Sequence, residues 1–365
     1  MPVQANKLAR PPITPGWDFP DAEIEATVAE GQPLQLSLWL SHRCNLRCTY
    51  CFRDAGNDLP GGLELDEYLA LIDQAAAMGI RYVFVSGSGE PTLDERLRSV
   101  LRHTTDAGLG FVLVTNLTLI TDDLAGVLAE HNATVIGKLN SLVPLVQNEL
   151  AGGIPWAHER ILEGLSRLMR AGLNATFPTR LGIETPILPA NYDEIPAIYR
   201  FARDNNLLPV IELLSNTGRA RLLQEVSAEA AHKLFLRLLA IDQENYGYTW
   251  IPTPPYAGFQ CRRLLYNIVV DSQGYVLPCF GIEERVADVR ESSLRAVWDS
   301  ASLRRNRRIY EHLDGACGQC PLSRKTGCYG CRGRTHVAVG DMFAEDMSCW
   351  HARSLVPSCN RTKGP

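Results

Sequence analysis

The stretch IRYVFVSGSGEPTLDERLRSVLRHTTDAGLGFVLVTN, residues 80–116, decides the fold. An apolar run of strand length (80–87) ends in small residues. Helical spacing follows over 94–108 and stops at a glycine. A second apolar run covers 110–116. Strand, helix and strand in so short a space make a βαβ unit, whose two strands lie parallel. The alternation repeats in both directions. Upstream, LQLSLWLS (34–41) alternates apolar and polar residues as a strand does, and 63–79 has helical periodicity ending at Gly79. Downstream, helices are expected over 119–132, 158–172 and 192–206. Strands are expected over 133–141, within 175–188 and over 208–216. Such alternation predicts a parallel α/β sheet, closed or partly closed, with the site in the loops at the strand C-termini.

Residues 1–33 are Pro-rich and read as an irregular arm or edge cover. After about residue 222 the pattern changes. One helix (228–245) lies in a linker spanning 223–260, and NIVVDSQGYVLPC (267–279) reads as two strands joined by a Ser-Gln-Gly turn. The remainder of 261–365 is cysteine-rich and has little apolar periodicity, so it needs staples, for which metal clusters would serve. The organisation expected is therefore arm 1–33, barrel 34–222, linker 223–260 and cysteine module 261–365.

Composition removes several classes. The 365 residues are 45% hydrophobic and 21% charged, with net charge −5, which is too apolar for a disordered chain. No apolar run reaches the ~18 residues of a membrane span, and the N-terminus lacks the apolar core of a secretory signal. A mildly acidic chain offers no general footprint for nucleic acid. The one basic run, RRNRR (304–308), reads as a solvated helix face. The chain is expected in the cytoplasm, with neither a membrane nor a nucleic acid as partner.

Eleven cysteines, an odd number, cannot all pair as disulfides, and they cluster in short polar loops rather than scattering with the core pattern. Cys44, Cys48 and Cys51 follow the first strand directly. Three thiolates so close can hold three irons of a cubane 4Fe–4S cluster and leave the fourth open. A zinc knuckle completed by His42 is the alternative. The second group is Cys261, Cys279, Cys317, Cys320, Cys328, Cys331 and Cys349. A structural zinc ribbon would use only its CxxC pairs.

CNLRCTYC (44–51) resembles the CX3CX2C motif of the radical S-adenosylmethionine (SAM) superfamily. Further segments match at successive strand ends. Ser86–Pro91 looks like the family's GGEP turn, with Ser88 in place of a glycine beside Gly89 and Glu90. Thr115-Asn116 stands where the family often reads TNG, with Leu117 replacing the glycine. Lys138-Leu139-Asn140-Ser141 stands where many relatives read SLDG. The resemblance covers roughly 34–222 and implies a partial (β/α)6 TIM-like barrel. Its open iron would bind SAM, and one electron would cleave SAM to methionine and a 5′-deoxyadenosyl radical that abstracts a substrate hydrogen. The cofactor contacts it implies are Tyr50, Ser88, Gly89, Glu90, Asn116, Lys138, Asn140 and Ser141. A flavodoxin- or ferredoxin-type electron donor is implied as well.

The second group is similar to the SPASM extension of that superfamily. The block Cys261…Gly274…Cys279 matches in full, while Cys317-x2-Cys320-x7-Cys328-x2-Cys331 departs from the usual spacing. By this resemblance Cys317, Cys320, Cys328 and Cys349 bind an outer auxiliary 4Fe–4S cluster. Cys261, Cys279 and Cys331 bind an inner one that keeps an open iron, takes a non-Cys ligand or takes Cys359. Cys359 itself reads as an unligated tail thiol.

Relatives of this kind modify peptides or oxidise and epimerise sugars and aminocyclitols. Phe280 replaces the Asp that sulfatase-maturing relatives place after the second cysteine. The short arm and the KLNS segment tilt the expectation towards oxidation or epimerisation of an amino sugar or aminocyclitol. A peptide maturase and a non-enzymatic iron–sulfur electron carrier are the alternatives. Glu184 and Glu212 are candidate bases, and Arg219 is a candidate carboxylate ligand. For all three a strand-end salt bridge is the plainer reading.

Overall fold

The computed structural model describes residues 8–351, so Cys359 lies outside the described residues. In chain order the elements are α1 (Asp21–Glu30), β1 (Gln35–Trp39), α2 (Leu65–Ala77), β2 (Tyr82–Ser86), α3 (Leu97–Asp106), β3 (Gly110–Thr115), α4 (Asp122–Glu130), β4 (Thr134–Lys138), α5 (Pro144–Leu150), α6 (Ala157–Arg170), β5 (Leu181–Ile187), α7 (Ile195–Asp204), β6 (Leu208–Leu213), α8 (Ala228–Ile241), β7 (Asn267–Val270), β8 (Tyr275–Leu277) and β9 (Ala287–Asp288). A series of short helices follows, from Leu294 to Val339.

One nine-stranded sheet runs in the order β6-β5-β4-β3-β2-β1-β7-β8-β9. The strands β1 to β6 are parallel, as the alternation predicts, and form a partial barrel rather than a closed one. β7 adds parallel to β1, and β8 and β9 turn back antiparallel. The cysteine module is thus grafted onto the barrel's own sheet by main-chain hydrogen bonds. The turn from β7 to β8 falls at Gly274, whose φ of +91° is strained for other residues. Asp271 Oδ1 accepts the amides of Gln273 and Tyr275 there.

β1 departs from its sequence reading. All five of its residues are buried, Gln35 and Ser37 included. Parallel strands are covered on both faces, so a polar residue in one must find an internal partner. Gln35 Nε2 donates to Gly16 O at 2.7 Å, and Ser37 Oγ donates to Asn267 Oδ1 at 3.0 Å.

The arm is the second departure. It contains α1, ended by Gly31 in the left-handed region, and its preceding residues plug the N-terminal mouth of the barrel. Trp17, 3% exposed, packs with Phe84, Val112, Ile136, Leu208 and Val210 on the inner face of the strands. Pro15 O and Gly16 O accept from Thr134 and Gln35 at the strand starts. α5 is a further element that the periodicity did not reveal. The basic run lies on the helix Ala301–Arg307 and its end. Arg305 covers the Phe343 ring at 4.0 Å and Arg307 the Trp298 ring at 3.9 Å.

Candidate active site

The loop after β1 carries the first three cysteines to the C-terminal mouth of the barrel. It is held from three sides. Cys44 N–H donates to Gly56 O, Arg47 N–H to Ala151 O and Thr49 N–H to Leu150 O. Arg219, beyond β6, donates from Nε to Cys48 O at 2.9 Å and from Nη1 to Ala55 O at 3.0 Å, and it pairs with Asp54 at 2.6 Å. Arg219 is thus a strut for the loop, in line with the plainer reading. Cys44, Cys48 and Cys51 are partly exposed, and all three line one cavity of about 220 Å³. Leu46 N–H points at Cys44 Sγ (3.5 Å) and Ala55 N–H at Cys51 Sγ (3.4 Å).

These thiols fit an anionic cluster: all three open onto the cavity, and Cys44 and Cys51 receive main-chain donors of the kind that stabilise cluster sulfur. Burial pushes Cys44 up to about 11 and Cys48 up to about 12, so metal binding must displace their protons.

The turn after β2 lies against this loop. A Cβ on Gly89 would meet Arg43 O at 2.1 Å, so only glycine allows the contact. Gly89 N–H donates to Ser41 O and Glu90 N–H to Arg43 O. Ser88 lines the cavity, with its Oγ 2.9 Å from His42 Nδ1. Glu90, 2% exposed, accepts from Thr92 N and Oγ1, Thr115 Oγ1 and Asn116 N at 2.6–3.0 Å. Burial pushes its carboxyl up against those four donors. It serves as the tie between the ends of β2 and β3. Asn116 joins the site through Nδ2, which reaches Asn45 Oδ1 at 2.8 Å and Cys44 Sγ at 3.9 Å.

The end of β4 differs from its sequence reading. Asn140 is fully buried, donates to the Tyr50 hydroxyl at 2.6 Å and keeps an unpartnered Oδ1. Tyr50 lines the cavity and hydrogen-bonds the Cys48 thiol. Ser141 is turned away: its Oγ donates to Glu194 at 2.7–2.9 Å and its N–H to Gln147 Oε1. Ser141 therefore shapes the β4–α5 connection and offers nothing to the cavity. Lys138 faces the cavity but is engaged there, with its Nζ 2.5 Å from Glu184 and 3.5 Å from Glu212.

Lys138, Glu184 and Glu212 stand on neighbouring strands β4, β5 and β6 and form a buried charge cluster. Burial pulls Lys138 down, but the two carboxylates hold it above its ordinary value. Burial and the adjacent Glu184 push Glu212 up to about 8. Tyr256 reaches the cavity because residues 255–257 run antiparallel along the free edge of β6, with Ala257 N–H on Ile211 O and Leu213 N–H on Pro255 O. Arg263 lies over the rings of Trp17 (4.4 Å) and Phe84 (4.7 Å). Tyr256, Arg263 and Trp17 escaped the sequence reading. Arg263 had one available signal, its place two residues after Cys261.

The auxiliary cysteines sort by geometry. Cys261, Cys279 and Cys331 line a second cavity of about 80 Å³, which shares Tyr256, Arg263, Phe280 and Gly281 with the first. Gly281 and Gly333 let the two cysteine loops touch: a Cβ on Gly333 would meet Gly281 Cα at 2.9 Å. Burial pushes Cys279 up to about 11 and Cys331 up to about 12. Cys328 lies near enough to Cys317 and Cys349 to sense their charge. Buried Asp346 ties this set to the inner one, accepting from Cys331 N at 2.8 Å while its own N–H points at Cys317 Sγ at 3.3 Å. Cys320 is partly exposed at the end of the helix Gly315–Gln319. Arg53 joins the first loop to the second block. It covers the Trp39 ring at 4.3 Å, donates to Phe280 O and pairs with Glu283.

With this geometry in place, the chain matches the model of the radical SAM superfamily over residues 40–202 and that of an iron–sulfur cluster-binding domain, SPASM, over residues 261–321. It is 28% identical to an AdoMet-dependent heme synthase of Methanosarcina barkeri, over 86% of this chain and 96% of that protein. It is 27% identical to a PqqA peptide cyclase of Rhodopseudomonas palustris, over 90% of each. Among solved structures, Streptococcus suis SuiB bound to S-adenosylmethionine superposes with a TM-score of 0.69. The identity is 19%, covering 90% of this chain and 81% of that one.

Proposed function

Because the chain belongs to the radical SAM superfamily, carries a SPASM domain and so is an enzyme using 4Fe–4S clusters and SAM, we propose that it abstracts a hydrogen atom from a peptide side chain. The observation that carries this reading is the shared wall: the cavity bounded by the Cys44–Cys51 loop meets the auxiliary cysteines across Tyr256, Arg263, Phe280 and Gly281. A substrate there lies between a site that starts a radical reaction and one that can take away an electron. Bound at Cys44, Cys48 and Cys51, the first cluster with SAM supplies the 5′-deoxyadenosyl radical. In this reading Cys261, Cys279 and Cys331 hold the inner auxiliary cluster, and Cys317, Cys320, Cys328 and Cys349 hold the outer one.

The chain's own residues do the rest. Ser88, Gly89, Asn116 and Tyr50 line the SAM end, with Glu90 and Asn140 holding Asn116 and Tyr50 in place. The rings of Trp17, Phe84 and Phe280 keep water from the reacting carbon. Glu212 touches the cavity, and its ionised form would take up the proton released when a substrate radical is oxidised.

A peptide is favoured over an amino sugar or aminocyclitol for two reasons. A relative aligned along nine-tenths of its length is a peptide cyclase. The KLNS segment, which had favoured the small molecule, spends Lys138 on ion pairs and Ser141 on Glu194. Family membership leaves the electron-carrier reading unsupported.

The test is anaerobic reconstitution, then dithionite and SAM, with 5′-deoxyadenosine as readout. Short peptides encoded beside the gene are then added and followed by mass spectrometry. The expected result is 5′-deoxyadenosine without substrate and a mass change in one peptide. A fully loaded protein that leaves SAM intact refutes the enzyme reading, and a mass change confined to sugars refutes the peptide.

A further inference from the structure

We propose that Arg263 is a carboxylate-binding anchor for the substrate, facing the Lys138–Glu184–Glu212 cluster across the cavity. This rests on the reading of that cavity as the substrate site. The guanidinium is boxed by aromatic faces, 4.4 Å from Trp17, 4.7 Å from Phe84 and 5.6 Å from Phe280. Among the described residues it makes one hydrogen bond, from Nη2 to Trp17 O at 3.0 Å, and no ion pair within 4 Å. Its remaining N–H groups are not shut away in the core, because Arg263 lines the cavity.

A guanidinium held in place by rings, with most of its fork unused, is the arrangement that takes a carboxylate bidentately. The other cation lining this cavity is spent: Lys138 is paired with Glu184 and Glu212. The two neighbouring carboxylates are taken up by Lys138, and Glu90 by four protein donors, and none of them is within 4 Å of Arg263. A partly buried, unmatched charge is costly, and a carboxylate ligand removes that cost. Opposite it, Glu184 and Glu212 present acceptors and one O–H to a neighbouring N–H or C=O of the same ligand. The class recognised is therefore a carboxylate-bearing group flanked by amide or amine donors, such as an acidic residue of a peptide or a small free acid.

The test uses the reconstituted wild-type protein with SAM bound, titrated anaerobically by calorimetry. The probes are N-acetyl-glutamate N-methylamide, its glutamine counterpart and glutarate. The glutamate probe is expected to bind about thirtyfold more tightly than the glutamine probe. R263Q should erase that preference. R263K, which keeps the charge and loses the fork, should retain part of it. The stronger of glutamate probe and glutarate identifies a peptide-borne or a free carboxylate. Equal binding of the glutamate and glutamine probes, absence of binding by all three, or a preference that survives R263Q overturns the assignment. So does an R263Q change confined to the auxiliary-cluster electron paramagnetic resonance signal, which would make Arg263 a partner of that cluster. The wild-type comparison needs no variant to fold. Binding is read without turnover, so its failure stays distinct from a failure to cleave SAM.

Discussion

Glu212 shows how much one side chain's surroundings decide. On an open strand end it would be an ordinary carboxylate. Here burial and Glu184 raise it to about 8, with Lys138 pulling the other way. A raised pKa means that the folded state holds the proton more tightly than the unfolded chain. The stabilisation is full below the ordinary carboxyl range and is lost as pH rises to about 8. The melting temperature of E212Q relative to wild type should therefore climb between about pH 5 and pH 8 and level off above that. A difference independent of pH would place the proton elsewhere. Glu90 is the complementary case, a carboxylate saturated by four protein donors. E90Q turns one acceptor into a donor facing donors, and should cost about 1–3 kcal/mol in urea denaturation. An unchanged midpoint and slope would deny Glu90 its tying role.

At the scale of elements, the loops are held by backbone contacts that leave no room for side chains. Gly89 lies on the main chain of Arg43, and Gly333 on that of Gly281. The two contacts serve different cysteine sets, so they should fail separately. G333A should lose auxiliary iron and keep the SAM-cleaving cluster. G89A should lose SAM cleavage first. Iron content with Mössbauer spectroscopy, read beside 5′-deoxyadenosine formation, checks both, and equal loss of all iron in either variant would contradict the separation. The strand–helix order was legible because fully buried parallel strands are apolar runs and their helices keep a 3.6-residue period. α1 and α5 were not legible. α1 hides in a Pro-rich arm and buries little beyond Ile24 and Thr27, and α5 is only two turns long. The in–out reading of β1 failed for another reason: its polar residues are satisfied by Gly16 and Asn267, which are distant in sequence.

For the molecule as a whole, the sheet is the common frame of both iron–sulfur regions, and Trp17 is its floor. The indole lines the active cavity on one side and a separate cavity of about 330 Å³ on the other. W17A should join the two, destabilise the fold by about 3–5 kcal/mol and admit water to the radical site. The measurement is the ratio of 5′-deoxyadenosine to modified substrate, which should rise. A ratio like that of wild type would mean that Trp17 does not seal the site.

The cysteine spacings, the GSGEP turn and the α/β alternation are local patterns, so the chain's sequence by itself determined the fold class, the superfamily and the cluster ligands to expect. Ion pairing and close approach are relations between distant segments, and only the tertiary structure decided those. Packing turned Ser141 away, drew Lys138 into a charge cluster, made Arg219 a strut and brought Arg263 and Tyr256, more than 200 residues beyond Cys44 and Cys48, into the same cavity. A residue's type limits the chemistry it can perform, but its partners and its access to the cavity depend on which strands and loops the fold brings beside it.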